Sequence, residues 1–280
     1  MSEFNLDESL LSPLLEGYRD RITATIEPYL DLTFVPDDNL TLWQSKFPGQ
    51  NYSPSGLPYL PKGTDYPTTP AGDYLHLLAQ INFAEAPSLS GFPDRGILQF
   101  YVADQELWGC PDPNYGEDFE QNWHRQNSFR LLYFPNPDLD ENNLVTDFSF
   151  LAEMEKQEDF YPQECSRIQW RKNYAPMPSW DYRFYNAMFR DFNPKEVHKI
   201  RAEFEEDYRL LEPSCTDAQI GGYASFAQED PRDGLSLANI DEPVDTLLLS
   251  VSMPENVLLF YIQSSALAQQ DFSRVLYTFS

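Results

Sequence analysis

The sequence predicts an α+β protein built from two related, mainly antiparallel β-sheet repeats in one compact unit, with an N-terminal helix and a helical insertion between the repeats. Three observations lead there. In residues 75–83, Leu75, Leu77, Ala79, Ile81 and Phe83 fall at odd positions, with His76, Gln80 and Asn82 among the even ones. That is the period of two of a half-buried strand. Residues 97–102 form an almost continuous apolar run suited to a central strand. Both runs recur near the C-terminus: 77–83 aligns with 247–253, and 97–102 with 257–262. A third pair, 129–134 and 273–278, aligns through a shared Arg-x-Leu-Tyr. Three runs in one order favour internal duplication over chance likeness of β-rich composition.

Taken in order, residues 12–30 read as a helix packed on a sheet. Ser12 caps it, Pro13 fits its first position, and Leu14, Leu15, Tyr18, Ile22 and Ile26 recur at helical spacing. Residues 32–35 suggest a short strand before Pro36. Residues 47–73 hold ten Pro and Gly between aromatic anchors such as Tyr59 and Tyr66, which predicts an ordered irregular loop lying on the first sheet. Residues 103–128 are a long acidic, aromatic connection. From 147 to 215 three helices are expected: 147–159, one capped by Ser179 with Trp180, Phe184 and Met188 on a stripe, and one opened by Pro194 with Val197, Ile200, Phe204, Tyr208 and Leu211 inward. The chain thus divides, within a single domain of residues 1–280, into a first β repeat at 31–145, a helical insertion at 146–215 and a second β repeat at 216–280.

The 280 residues carry 45 acidic and 19 basic side chains, a net charge of -26. Such a surface repels phosphate backbones and anionic lipid, so nucleic acid and membrane are not expected partners, whereas a basic protein is. The 17 Tyr and 20 Phe suit sheets with aromatic packing. No apolar run is long enough to span a bilayer, and the first residues lack a secretory pattern. Three widely spaced cysteines indicate neither a disulfide framework nor a zinc site. A cytoplasmic location follows as the expectation.

Candidate chemistry is sparse. His76, His124 and His198 have no metal-binding spacing. Cys110 and His124 share a loop region, but a buried thiol beside a surface imidazole outweighs a catalytic pair. The carboxylates Asp112, Glu117, Asp118 and Glu120 lack the calcium-loop spacing and read as a solvated acidic loop. No catalytic residue, cofactor or metal is therefore expected. The turn-rich stretch Gly221-Gly222-Tyr223 with Asp230-Pro231-Arg232 is the best polar site, since glycines allow close backbone approach. Read as structure, the same glycines shape a turn, and Arg232 pairs with a nearby carboxylate.

Residues 42–47 (Leu-Trp-Gln-Ser-Lys-Phe), 58–61 (Pro-Tyr-Leu-Pro), 77–83 and 96–101 resemble the bacterial YwqG family, a family of unknown function, and 219–223, 228–232 and 271–277 agree. The resemblance spans nearly the whole chain and implies a mixed α+β fold with extensive sheet. It implies no enzyme activity; relatives look like members of toxin-linked gene clusters, which suggests an immunity-type role. The chain departs from the family pattern where residues 48–56 intervene before Pro58. It departs again where Ser250, Ser252 and the short 253–256 connection replace a Gln-x-Asp strand and a Trp-Gly-Asp loop, which puts any site formed by that loop in doubt.

Two functions follow as expectations. The first is a non-enzymatic interaction module with an acidic surface. The alternative is a small-ligand binder or enzyme with a cleft between the repeats near Gln80, Asn82, Gly222, Tyr223 and Arg232.

Overall fold

The computed structural model describes residues 8–49, 53–103, 106–110, 119–151, 154, 162–214, 216–235, 237 and 240–280. Ten strands form one antiparallel sheet: β1 Glu27–Pro36, β2 Lys46–Phe47, β3 His76–Asn82, β4 Ile97–Val102, β5 Phe129–Phe134, β6 Ser166–Ala175, β7 Ala218–Gly221, β8 Thr246–Ser252, β9 Val257–Ile262 and β10 Val275–Phe279. Their order across the sheet is β10-β9-β8-β7-β1-β6-β2-β3-β4-β5. The sheet curls until its two ends meet through side chains. Phe100 packs on Phe260 at 5.1 Å and Phe129 on Tyr277 at 5.2 Å between ring centroids. The result is a nearly closed, mostly antiparallel barrel with few helices, its interior filled by residues of both ends such as Leu98, Phe100, Leu258 and Phe260.

The two ends pair in matching register. Leu77 lies opposite Tyr101 and Leu247 opposite Tyr261, and a bulge follows each, between Leu77 and Ala79 and between Leu247 and Leu249. The bulge changes the face assignment expected from alternation. Leu75 and Leu77 join an outer cluster with Tyr66 and Phe148, whereas Ala79, Ile81 and Phe83 turn into the barrel. An extra residue in one strand reverses the side-chain faces beyond it. The third strands correspond differently from the Arg-x-Leu-Tyr alignment. Tyr101 faces Arg130 and Tyr261 faces Leu276, so Arg130 matches Leu276 rather than Arg274, a displacement of two residues. A shift of two keeps every side chain on its face, so the apolar pattern could not register it.

The expected helix over 12–30 is broken and short. Helix α1 covers Pro13–Glu16, with the Ser12 hydroxyl accepting from the Leu15 N–H, and α2 covers Arg19–Ala24. From Glu27 the chain is strand β1, paired over ten positions with β6. Pro28 has no N–H for a helix interior, and a strand's first positions tolerate it. The helices pack mainly on other helices: Leu15, Tyr18 and Ile22 share a core with Phe184, Met188, Phe204 and Tyr208.

The 146–215 segment is likewise not a purely helical insertion. It holds β6 at the centre of the sheet, then α4 Phe184–Phe189 and α5 Pro194–Tyr208. Ser179 does not cap a helix; its hydroxyl and N–H bond Glu212. Residues 149–151 form a single 3-10 turn, and most of the expected helix beyond them lies outside the described residues. The remaining helices are α3 Phe119–Asn122 and α6 Ser264–Ala268.

Candidate functional site

Four of the segments carrying the family resemblance, 42–47, 58–61, 77–83 and 96–101, meet in a buried polar knot on the outer face of β3 and β4. Lys46 is fully buried, and its Nζ donates to the carbonyls of Thr41, Ser55 and Leu57 at 2.7, 2.8 and 3.0 Å. Burial pulls its pKa down to about 8, against Cys165 and Glu85 nearby. Three carbonyl acceptors still favour the ammonium. Gln80 donates to the carbonyls of Leu42 and Gln44 and accepts from the Tyr59 N–H and the Gln99 amide. Asn82 donates to the Trp43 carbonyl and accepts from the Ala84 N–H. These side chains hold residues 41–44 and 55–59 on the sheet through their backbone groups.

A cleft of about 430 Å³ lies where the two halves approach. The β3–β4 connection contributes Leu89 and Phe92, the start of β1 Glu27, the end of β7 Gly221, Gly222 and Tyr223, and the start of β8 Asp245. Gly221 and Gly222 have φ of +72° and +61°, a left-handed pair that turns the chain sharply. A Cβ on Gly221 would lie 2.7 Å from Leu89 Cδ2, and one on Gly222 would lie 2.8 Å from Tyr29 Cβ. Both glycines are therefore required by backbone conformation and by close packing.

Beside the cleft lies an ion cluster joining three distant segments. Arg183 lines the cleft and bonds Asp181 through two nitrogens, at 2.8 and 2.7 Å, and Asp245 at 3.2 Å. Arg232, its side chain 5% exposed, bonds Asp230 twice, Asp181 at 2.9 Å and Asp245 at 3.4 Å. Its guanidinium sits 4.4 Å from the Tyr261 ring centroid. Burial alone would raise the pKa of Asp181, but the two guanidiniums outweigh it and hold the carboxyl below its usual value. The Tyr182 hydroxyl, bonded to Asp245, is pushed up to about 12 by burial and then by that carboxylate. Three carboxylates face two guanidiniums, so the cluster keeps one carboxylate in excess.

Of the residues singled out in the sequence, Gly222 and Tyr223 line the cleft. Arg232 reaches it only through the shared Asp245, and Gln80 and Asn82 belong to the knot. Glu27, Arg183 and Asp245 were not singled out; each stands beside an unremarkable stretch of sequence, and only the fold assembles them. His76 is buried on β3 and His198 exposed on α5. His124 Nδ1 has no hydrogen-bond partner. Asp112, Glu117 and Asp118 lie outside the described residues; Glu120 is exposed on α3. Among the described residues no group of three His, Cys, Asp or Glu is placed to hold a metal ion, and no helix is long and apolar enough to cross a membrane.

Fold and cleft together define a mostly antiparallel, nearly closed β protein with a polar cleft between its halves. The chain belongs to the family described as "Domain of unknown function (DUF1963)", which it matches over residues 54–280. No curated protein matches it.

Proposed function

We propose that this protein binds a small amphipathic molecule with a cationic end in the cleft between its halves. Glu27 carries the reading. Its carboxylate lies on a cleft walled by Leu89, Phe92 and Leu247 and has no ion pair among the described residues. The neighbouring Arg183 and Asp245 are already paired with each other. Glu27 is exposed at the cleft, and partial desolvation raises its pKa with Arg183 acting in opposition, so a cation placed there would meet an unpaired carboxylate. The aromatic face of Tyr223 and the turn at Gly222 complete the pocket. The reading takes the two halves as copies of one α+β unit of the YwqG type, with the cleft arising where they meet, in a cytoplasmic protein. Agmatine, putrescine, choline and arginine, titrated calorimetrically at low salt, should include at least one saturable ligand. Glu27→Gln should weaken it roughly tenfold, about 1.4 kcal/mol. A panel with no ligand, or one indifferent to Glu27→Gln, sinks the proposal.

A second reading is favoured by the net charge of -26. In it the chain is a non-enzymatic interaction module that presents its acidic surface to a basic protein, as an immunity-type neutraliser would. Capture of one basic protein at low ionic strength, lost at high ionic strength, is its test.

A further inference from the structure

Many cationic groups of this acidic chain are tied to carboxylates, as Arg21 is to Asp191 and Arg171 to Asp31. A different set gathers where β5 meets the turn before β10. His124, Arg125, Arg130 and Arg274 lie there, and none has an ion pair among the described residues. Arg130 Nε, Arg274 Nε and His124 Nδ1 are each buried without a hydrogen-bond partner. Arg274 and His124 both pack on Trp123. Arg274 lies 5.3 Å over the Trp123 ring, whose centroid is 5.2 Å from that of His124. Arg130 Nη2 donates to the Gln126 carbonyl at 3.0 Å. Burial, and then Arg274 and Arg125, hold His124 below its ordinary pKa, which leaves the imidazole neutral near pH 7. Asp271, the acidic side chain that acts on Arg274, bonds the Ser273 N–H instead.

His124 and Arg130 line an open groove of about 800 Å³, and Arg274 directly follows Ser273 of its lining. Its floor is stitched by Gln126, which donates to the Phe272 carbonyl at 2.7 Å and accepts from the Leu131 N–H at 2.8 Å. Asn127 and Gln270 add amides to the rim, and Tyr133, packed on Phe272 at 4.9 Å, adds an aromatic wall. A buried guanidinium N–H without an acceptor is costly, and an oxyanion is the acceptor that suits it best.

We propose that this groove binds a phosphate-bearing small molecule, with its oxyanion between Arg130 and Arg274 and its body against Tyr133. Two guanidiniums match the double charge of a phosphate monoester. The overall charge of -26 opposes an anion at long range, so recognition rests on this local pair. The site is independent of the cleft at Glu27. Calorimetric titration of the full chain with phenyl phosphate and with phosphoserine, against sodium chloride at matched ionic strength, tests it. One-site saturable binding to either phosphate is expected, weakened at least about tenfold in Arg130→Gln and in Arg274→Gln and unchanged in Glu27→Gln. If an arginine variant fails to fold, Asn127→Leu, which fills the groove without touching an arginine, is read in its place with the same expected loss. Absence of saturable binding to the wild-type chain overturns the proposal, as does full binding in the arginine variants.

Discussion

Arg232 shows how one side chain can be read in part. An arginine two residues from Asp230 in an acidic protein invites an ion pair, and that pair forms. The contacts to Asp181 and Asp245 come from segments 51 and 13 residues away, which no local pattern announces. Arg232→Ala would leave Asp230 buried without its countercharge and Asp181 with Arg183 alone. We expect a loss of about 3 to 5 kcal/mol in urea unfolding, only partly restored by Arg232→Lys, because lysine cannot make the forked contacts. The pH dependence has a definite sign. Asp181 is held below its unfolded pKa, so its contribution is present above about pH 4 and is lost as pH falls through the lower folded value. The variant should lose the share of that acid sensitivity owed to Arg232 and keep the share owed to Arg183, and unfolding midpoints between neutral pH and pH 3 would reveal it. Gln80 and Asn82 teach the complementary lesson. A polar residue on a strand can serve a ligand or a loop backbone, and their carbonyl and N–H partners, some 20 to 40 residues distant, decide for the backbone.

Elements were legible where their signals were local. Helix α5 begins at Pro194 as expected, after Asn193, whose side chain accepts from the Lys195 and Glu196 N–H groups while Glu196 returns a bond to the Asn193 N–H. Asn193→Ala should therefore cost about 1 kcal/mol, measurable as a lower denaturation midpoint with unchanged slope. Strands β3, β4, β8 and β9 were also legible, β4 and β9 through nearly continuous apolar runs, β3 through its alternation and β8 through its likeness to β3. Strand β6 was not. Ile168 and Trp170 do alternate with Arg167, Gln169 and Arg171, but the charged outer face hides the period within a segment bounded by helical patterns. Its partner β1 was masked by helical spacing that continues to Ile26, one residue before the strand starts.

At the scale of the molecule, β1 and β6 form the centre of the sheet; the sequence suggested β1 only over residues 32–35 and β6 not at all. Together they join the N-terminal and C-terminal strands of the sheet: β1 lies beside β7, and β6 beside β2. The cleft at Glu27 depends on this crossing, because β1 brings its first residues to the end of β7 and to the β3–β4 connection. The charge of -26 also acts at this scale. If a basic protein is the partner, raising salt from about 0.05 to 0.5 M should slow association far more than it speeds dissociation, since screening removes steering before it loosens contacts. Surface plasmon resonance on the captured protein would separate the two rates, and a salt-independent association rate would count against electrostatic recognition.

The sequence by itself determined the antiparallel β character, the correspondence of β3–β4 with β8–β9 to the residue, and the opening of α5, because each rests on periodicity or capping within a dozen residues. Tertiary structure alone decided the nearly closed barrel, the two-residue displacement of the third strand, and the assembly of Glu27, Arg183 and Asp245 around one cleft. Those outcomes depend on pairing and packing between segments tens to more than a hundred residues apart, where side-chain partners are chosen by the whole fold and leave no local mark in the chain.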